Sequence, residues 1–207
     1  MIDLYAADTP NGKKISIMLE EINLPYKVIP VNLSEGEQFK EEFVKMSPFS
    51  KIPVIKDSDN NKSVFGSGAI LIYLADKTKK FYNKENKINI DQWLMAQMGL
   101  VGPLIGAYHS FYRFNKGKSK YGEERYFKIT KDLYQRLNDR LSVSKYLAGE
   151  EYTIADIATW PWIARHQWHD IGLRKYNHLC KWYEVISKRE GVQKGYNFMG
   201  GGAIPKP

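Results

Sequence analysis

The 207-residue sequence contains a single cysteine, Cys180, which excludes an internal disulfide and a redox-active Cys-x-x-Cys pair. It has no run of the roughly 18 apolar residues that a membrane-spanning helix needs. Its first residues, MIDLYAADTPNGKK, show no basic segment followed by an apolar core, which a secretory signal would have. These absences predict a cytoplasmic protein that is not held together by disulfides and does not enter the membrane.

The composition is that of a globular protein, with 43% hydrophobic and 26% charged residues, in a length that suits one large or two small domains. The net charge is +8, from 31 basic and 23 acidic residues. Lysine clusters fall at predicted helix ends and loops, without interleaved aromatic residues or a groove-reading motif. We therefore expect solvated lysines and no nucleic-acid partner.

The first 78 residues alternate between strand and helix patterns. The predicted order is strand, helix, strand, short helix, strand, strand and helix, at 2–6, 12–23, 26–31, 37–45, 54–55, 63–65 and from residue 67. This βαβ unit followed by a ββα unit predicts an α/β domain over residues 1–78.

After a predicted linker at 78–84 the apolar residues recur only at helical spacing. Long helices are predicted at 91–112, 122–141 and 153–168, so residues 85–207 are expected to form an all-helical domain. Thr153 and Asp156 have the spacing of a capping box, whose loss typically costs about 1 kcal/mol.

Pro53 lies in the segment MSPFSKIPV, immediately before a short apolar strand. Proline has no N–H to donate, so it fits the first residue of a strand rather than its middle. A cis Ile52–Pro53 bond would turn the N–H and C=O of Ile52 outward, where an extended peptide could pair with them. The alternative is an ordinary turn before a strand.

Together these segments resemble a cytosolic glutathione transferase. The SGAILIYLA helix and the TIAD capping box add to the proline turn, and the resemblance covers nearly the whole chain. The segments TPNGKKI, FKEEFVKMSPFSKIPV and YTIADIATWPW are similar to the bacterial Nu class and its yeast prion-domain-bearing relatives. The resemblance implies a thioredoxin-like N-terminal domain, a helical-bundle C-terminal domain, a homodimer, and glutathione bound in the first domain.

In the resembling class, Thr9 and Asn11 match the positions that approach the glutathione sulfur. A free thiol has a pKa of about 8.5, so a protein that uses the thiolate must stabilise the anion. Hydrogen-bond donors at the N-terminus of a helix do this, and Thr9, Asn11 and the Gly12 backbone lie where the first helix begins. A plain turn and helix cap is the alternative. Tyr5 and Ser16, rival positions used by other classes, are expected to be structural.

Ser67 begins the helix that follows the second hairpin strand, where its hydroxyl and the backbone N–H groups suit a carboxylate. By resemblance, that carboxylate belongs to the γ-glutamyl group of glutathione. Gly66 departs from the family, which usually has an acidic or amide residue there to contact the glutathione amine. One charge-assisted contact, worth about 1.5–3 kcal/mol, is therefore expected to be missing.

The resemblance assigns the remaining glutathione contacts to three regions of the chain. The Ile52–Pro53 turn pairs with the peptide backbone, and Gln38 and Lys51 reach the peptide and its glycine carboxylate. Arg125 matches an arginine that reaches the ligand of the partner subunit. Under the alternative, Gln38, Lys51 and Arg125 are ordinary exposed polar residues.

An apolar second substrate would contact a group of residues at helical spacing, although such a stripe is more often core. The group is Met98, Tyr108, Phe111, Tyr112, Phe114 and Trp162. His166 and His169 share a helix face but have no third metal ligand nearby, so we predict no metal site.

The sequence predicts a glutathione-dependent transferase or disulfide reductase that binds and activates the glutathione thiol. Glutathione is the expected co-substrate, with a small electrophile or a disulfide as its reaction partner. Without a catalytic cysteine, disulfide exchange would run between glutathione and the substrate sulfur. The alternative is a non-enzymatic interaction or regulatory module of the same fold, which Gly66 keeps open.

Overall fold

The computed structural model describes residues 1–207, and the chain forms two compact units. The first contains Met1–Tyr82 and Lys188–Ala203, and the second contains Asn83–Ser187 and Ile204–Pro207. The predicted division at 1–78 and 85–207 differs from this grouping at the C-terminal end, where the last helix joins the first unit. No helix combines the length and apolarity that crossing a bilayer requires.

The first unit is a four-stranded mixed sheet with helices, in the strand order β2-β1-β3-β4. Its elements are β1 (Ile2–Ala6), α1 (Pro10–Ile22), β2 (Tyr26–Pro30), a 3-10 turn (Glu37–Phe39), α2 (Glu41–Met46), β3 (Val54–Asp57), β4 (Lys62–Phe65) and α3 (Ser67–Thr78). β1 pairs with β2 in parallel and with β3 antiparallel, and β3 pairs antiparallel with β4. The predicted thioredoxin-like arrangement is confirmed.

Helix α1 begins at Pro10, two residues before the predicted start. Thr9 is extended and its side chain accepts a hydrogen bond from the Gly12 N–H, so it caps the helix. Proline is tolerated at the first helical position because its missing N–H would have no partner there. The helix ends at Ile22, where Asn23 takes the left-handed conformation.

The last helix, α9 (Glu190–Tyr196), packs along α1 in the first unit. Two glycines allow this approach, because a Cβ at Gly195 would lie 2.5 Å from the Cα of Ile17 and one at Gly191 would lie 2.9 Å from the backbone N of Glu21. The Ser16 hydroxyl donates to the Gly195 carbonyl at 2.6 Å. Ser16 is therefore a buried structural contact, as expected from the sequence.

The second unit is all-helical, as predicted, but one of its predicted helices is divided and another is shorter than predicted. Its helices are α4 (Lys87–Ala96), α5 (Gly102–Tyr108), α6 (Lys120–Ser142), α7 (Ile154–Ile163) and α8 (Asn177–Ser187). Two π-helical segments, Gln97–Val101 and His109–Phe114, follow α4 and α5 where one continuous helix was predicted at 91–112. Helix α7 ends five residues before the predicted 153–168 helix does.

The capping box at the start of α7 is present, and its carboxylate does more than cap the helix. Asp156 is fully buried and accepts hydrogen bonds from the backbone N–H and the hydroxyl of Thr153 at 3.0 and 3.2 Å. It also accepts from the Leu147 N–H at 3.0 Å and from the Trp182 indole N–H at 2.9 Å. Asp156 thus joins the start of α7 to the preceding loop and to α8.

Candidate functional site

The segment before β3 contains a cis Ile52–Pro53 peptide bond, the geometry on which the sequence argument depended. The buried Ser47 hydroxyl holds this segment, since it donates to the Lys51 carbonyl at 2.8 Å and accepts from the Lys51 N–H at 3.2 Å. The Ile52 side chain packs against a buried cluster that includes Phe43. The side chain is thereby fixed on the protein side of the loop.

The backbone of Ile52 remains available for a ligand. Ile52 lies outside the strand ladders, and neither its N–H nor its C=O forms a hydrogen bond within the protein. A half-buried peptide group that forms no internal hydrogen bond is unusual in a folded protein. It provides one donor and one acceptor, which is what an added extended strand needs.

The N-terminus of α1 provides further hydrogen-bond donors in the same unit. The Thr9 Oγ1 accepts from the Gly12 N–H at 3.1 Å, so the hydroxyl hydrogen of Thr9 must point to a different acceptor. Thr9 and Asn11 are both half-buried at this end of the helix. Gly12 has no room for a side chain, because a Cβ would lie 2.4 Å from the Ala7 carbonyl oxygen. The geometry suits an anion bound at the N-terminus of α1.

The N-terminus of α3 begins at Ser67, which is 4% exposed, directly after the exposed Gly66. Gly66 has a φ of +82°, a conformation that residues with a side chain adopt rarely. No atom lies within 4 Å of the position that a Cβ at Gly66 would take. The backbone conformation at residue 66 therefore favours glycine over the acidic or amide residue that is usual in the family. There is nevertheless space at this position for a longer side chain.

Two buried lysines near these helix ends were missed by the sequence argument. The Lys13 ammonium pairs with Asp8 at 2.6 Å, donates to the Tyr196 carbonyl at 2.5 Å and lies 3.9 Å above the Tyr196 ring. The Lys14 ammonium donates to the Ser67 hydroxyl at 3.2 Å. Both side chains are about 1% exposed. The burial of Lys14 could have been inferred from helical spacing, because Lys14 lies on the same face of α1 as the buried Met18 and Ile22.

Gln38 and Lys51 lie in the first unit with different exposure. Gln38 is half-buried in the 3-10 turn before α2, and its Oε1 is buried without a hydrogen-bond partner in the protein. Such an atom is costly unless a ligand or water satisfies it. Lys51 has an exposed side chain beside the Ile52–Pro53 bond. Their predicted contacts with glutathione stay predictions.

Arg125 lies in the second unit, exposed on α6, where its guanidinium contacts the Tyr121 hydroxyl at 3.4 Å. Of the predicted aromatic group in this unit, Tyr108 and Trp162 are buried in its core, whereas Phe114 is 67% exposed. The stripe is thus partly core, the alternative that the spacing had left open.

Two histidines of the second unit, His109 and His169, form a buried chain of hydrogen bonds with Tyr134. The Nε2 atoms of His109 and His169 lie 2.8 Å apart, and Nδ1 of His169 lies 2.6 Å from the Tyr134 hydroxyl. Burial, with Arg165 and Arg113 adding to it, lowers the pKa of His109 to about 4. Burial also holds the pKa of His169 well below its usual value.

Because of these buried histidines, we expect the second unit to lose stability in acid. Because the folded pKa of His109 lies below the unfolded value of about 6.5, protonation favours the unfolded state as the pH falls from about 6.5 to 4. We expect the free energy of unfolding to fall by about 1–2 kcal/mol between pH 7 and pH 5. Denaturant titrations at both pH values measure this. His109→Gln should reduce the difference, and equal pH dependence in the variant would contradict the assignment.

Sequence and structure comparisons identify the family. The model of the glutathione S-transferase N-terminal domain matches residues 2–76, and that of the C-terminal domain matches residues 102–190. The chain belongs to the glutathione S-transferase family. The resemblance inferred from the motifs is thereby confirmed, and the two-domain fold with it.

Named relatives of this glutathione S-transferase family member include two disulfide-bond oxidoreductases of Escherichia coli. YfcG is 45% identical over 196 residues, covering 91% of each chain. YghU is 33% identical over 213 residues, covering 94% of this chain and 73% of its own. These names agree with the narrower resemblance to the Nu class.

Solved structures of similar glutathione transferases contain glutathione. One from Burkholderia graminis, with two glutathione molecules per subunit, has a TM-score of 0.90 at 34% identity and covers 97% of this chain and 89% of its own. One from Pseudomonas putida, with one glutathione disulfide per subunit, has a TM-score of 0.88 at 34% identity and covers 96% of this chain and 92% of its own.

Proposed function

We propose that the protein is a glutathione-dependent enzyme that reduces disulfides or transfers glutathione to a small electrophile. The observation that carries this proposal is the unpaired backbone N–H and C=O of Ile52, beside the cis bond to Pro53. A tripeptide in extended conformation matches this pair of groups. The names of the relatives and the glutathione in the solved structures support glutathione as the co-substrate.

In the proposed binding mode, each part of glutathione meets a different element. The cysteinyl backbone pairs with Ile52, and the γ-glutamyl carboxylate binds Ser67 and the N–H groups that begin α3. Gln38 and Lys51 contact the rest of the peptide and its glycine carboxylate. The buried Oε1 of Gln38 has no hydrogen-bond partner in the protein. Arg125 extends to the ligand of a second subunit in a homodimer.

In the proposed mechanism, Thr9 and Asn11 donate hydrogen bonds to the glutathione sulfur and stabilise the thiolate. The thiolate attacks one sulfur of a substrate disulfide, the S–S bond breaks, and the departing thiolate takes up a proton. A second glutathione thiolate then attacks the mixed disulfide and releases glutathione disulfide. Two glutathiones are oxidised for each disulfide reduced, and no cysteine of the protein takes part.

A homodimer and a cytoplasmic location belong to the same proposal. Phe39 and Phe49 of the first unit are 69% and 74% exposed, and both are large apolar side chains that a second copy could cover. The reducing cytoplasm keeps glutathione mainly as the thiol that the mechanism uses. Light scattering should therefore report twice the chain mass of 24.0 kDa.

The decisive assay compares two substrates with glutathione present. We expect turnover of 2-hydroxyethyl disulfide, of a chlorodinitrobenzene-type electrophile, or of both, and retention of the protein on glutathione-agarose. Inactivity with both substrates and no retention would reject the enzymatic proposal. Co-purification with a cellular protein under those circumstances would favour the interaction module instead.

The site also predicts a gain of binding at Gly66. Gly66→Glu would add a carboxylate, in open space, for the amine of glutathione. A charge-assisted hydrogen bond of this kind is worth about 1.5–3 kcal/mol, so we expect at least a tenfold tighter dissociation constant by calorimetry. The positive φ should cost about 1 kcal/mol of stability. Gly66→Ala carries that cost alone, and equal affinity in both variants would contradict the predicted contact.

A further inference from the structure

The buried chain of hydrogen bonds in the second unit leaves one ring nitrogen of His109 open. Nε2 of His109 meets Nε2 of His169 at 2.8 Å, and Nδ1 of His169 meets the Tyr134 hydroxyl at 2.6 Å. Nδ1 of His109 has no hydrogen-bond partner in the chain. It is also not among the buried side-chain atoms that lack a partner, so it is accessible from outside. An accessible ring nitrogen at the end of a buried chain can meet an atom of a ligand.

The buried end of the chain determines which nitrogen of His109 carries hydrogen. Burial lowers the pKa of His109 to about 4 and holds that of His169 well below its usual value, so each ring is neutral with one N–H. The buried Tyr134 hydroxyl has no acceptor other than Nδ1 of His169. Because an unsatisfied buried hydroxyl hydrogen is costly, Tyr134 donates to His169, and His169 donates from Nε2 to His109. The hydrogen of His109 is therefore on Nδ1.

Aromatic side chains lie around this donor. The His109 ring stacks on Trp162 with the ring centroids 6.0 Å apart and meets Trp168 edge to face at 5.3 Å. Phe114, which is 67% exposed, meets Trp168 edge to face at 6.1 Å. An exposed and a half-buried aromatic side chain together provide a contact for a flat apolar ring. The surface suits an aromatic ligand that offers an acceptor atom to His109.

We propose that the Nδ1–H of His109 donates to an acceptor oxygen of an aromatic electrophile, with Tyr134 and His169 as positioning residues that fix the hydrogen on Nδ1. This inference rests on the proposed function and names the class of its second substrate. A nitro or carbonyl group fits, because it makes an aromatic compound electrophilic and also carries an acceptor oxygen. His109 then distinguishes electrophiles that carry such an oxygen from those that do not.

The position of the hydrogen is tested on the natural protein without any ligand. Long-range proton–nitrogen NMR spectra of protein labelled with ¹⁵N-histidine report which ring nitrogen is protonated in each of the four histidines. The signals of His109 are those that His109→Gln removes. We expect hydrogen on Nδ1 of His109 and on Nε2 of His169 near neutral pH. Hydrogen on Nε2 of His109 would overturn the inference.

The contact is tested with two electrophiles, 4-nitrobenzyl chloride and benzyl chloride, which differ only in the nitro group. In both, the glutathione thiolate attacks the benzylic carbon and chloride leaves. His109→Gln keeps a nitrogen where Nε2 lies but none where Nδ1 lies, whereas His109→Asn keeps an N–H donor in place of Nδ1. Tyr134→Phe removes the hydroxyl that fixes the hydrogen. Tyr176→Phe is the matched control, since its ring lies 5.4 Å from that of Tyr134.

The quantity measured is the ratio of kcat/KM for the nitro compound to kcat/KM for benzyl chloride. We expect this ratio to fall about fivefold in His109→Gln, the size of effect that one neutral hydrogen bond gives, and to be largely restored in His109→Asn. It should fall at least about twofold in Tyr134→Phe and stay at the natural value in Tyr176→Phe. The change should appear in KM, because the contact forms before the thiolate attacks.

Several results would overturn the inference. An unchanged ratio in His109→Gln, or equal falls in Tyr134→Phe and Tyr176→Phe, would reject it while leaving the proposed function intact. If His109→Gln does not fold, the natural protein decides, since S-(4-nitrobenzyl)glutathione must then shift the Nδ1–H signal of the histidine that pairs with His169. Turnover of disulfides but of neither electrophile would also reject this inference alone. No glutathione-dependent activity at all would reject the proposed function, and this inference with it.

Discussion

Replacing Thr9 by alanine should lower kcat/KM for glutathione-dependent disulfide reduction by about a hundredfold. The Thr9 Oγ1 already accepts a hydrogen bond from the Gly12 N–H, so its hydroxyl hydrogen is directed to another acceptor, which we propose is the glutathione sulfur. Loss of one donor to a catalytic anion typically costs two to three orders of magnitude in rate. Steady-state kinetics with 2-hydroxyethyl disulfide measures the effect.

The same substitution removes the cap of α1, so stability needs its own measurement. Loss of the cap should lower the free energy of unfolding by about 1 kcal/mol, which leaves a protein of ordinary stability almost fully folded. Thr9→Ser keeps both the cap and the donor and should remain within about threefold of the natural rate. An alanine variant that is folded and fully active would show that Thr9 is only a helix cap.

Replacing Asp156 by alanine should destabilise the second unit by about 3–5 kcal/mol, well above the cost of a lost cap. The substitution leaves the Leu147 N–H, the Trp182 indole N–H and the donors of Thr153 without their buried acceptor. Each unsatisfied buried donor costs about 1–3 kcal/mol, and partial rearrangement reduces the sum. Denaturant titration followed by far-ultraviolet circular dichroism gives the difference.

Thr153→Ala separates the cap from the rest of this network. It removes the hydroxyl that caps α7 but leaves Asp156 bonded to Leu147 and Trp182, so we expect a loss of about 1 kcal/mol. Equal losses in the two variants would mean that Asp156 contributes nothing beyond its capping box.

Local patterns predicted most of the fold because they report which face of an element is buried. β1 was placed from the alternation at residues 2–6, and the capping box was placed from the spacing of Thr153 and Asp156. The packing of α9 on α1 was missed, since it depends on Gly191 and Gly195 meeting residues far away in the chain. The spacing of apolar residues indicates which face of a helix is buried, but it does not indicate which distant element packs against that face.

In the candidate site, too, features carried by short motifs were predictable, whereas contacts between distant segments were not. The cis bond at Pro53 and the helix starts at Thr9 and Ser67 were anticipated, because short motifs around them carry the geometry. The sequence does not predict the contact of Lys14, which the structure brings to Ser67 across 53 positions of sequence. Its place in the row with Met18 indicates burial, but no local pattern indicates the hydroxyl that it meets.

We propose that the N-terminus of α1 stabilises the thiolate of a bound glutathione. Thiolate absorbance near 240 nm, followed against pH for glutathione bound to the natural protein, measures the pKa of that thiol. We predict a bound thiol pKa at least about one unit below the value of about 8.5 for a free thiol. A pKa for the bound thiol equal to the free value would show that the N-terminus of α1 does not stabilise the thiolate.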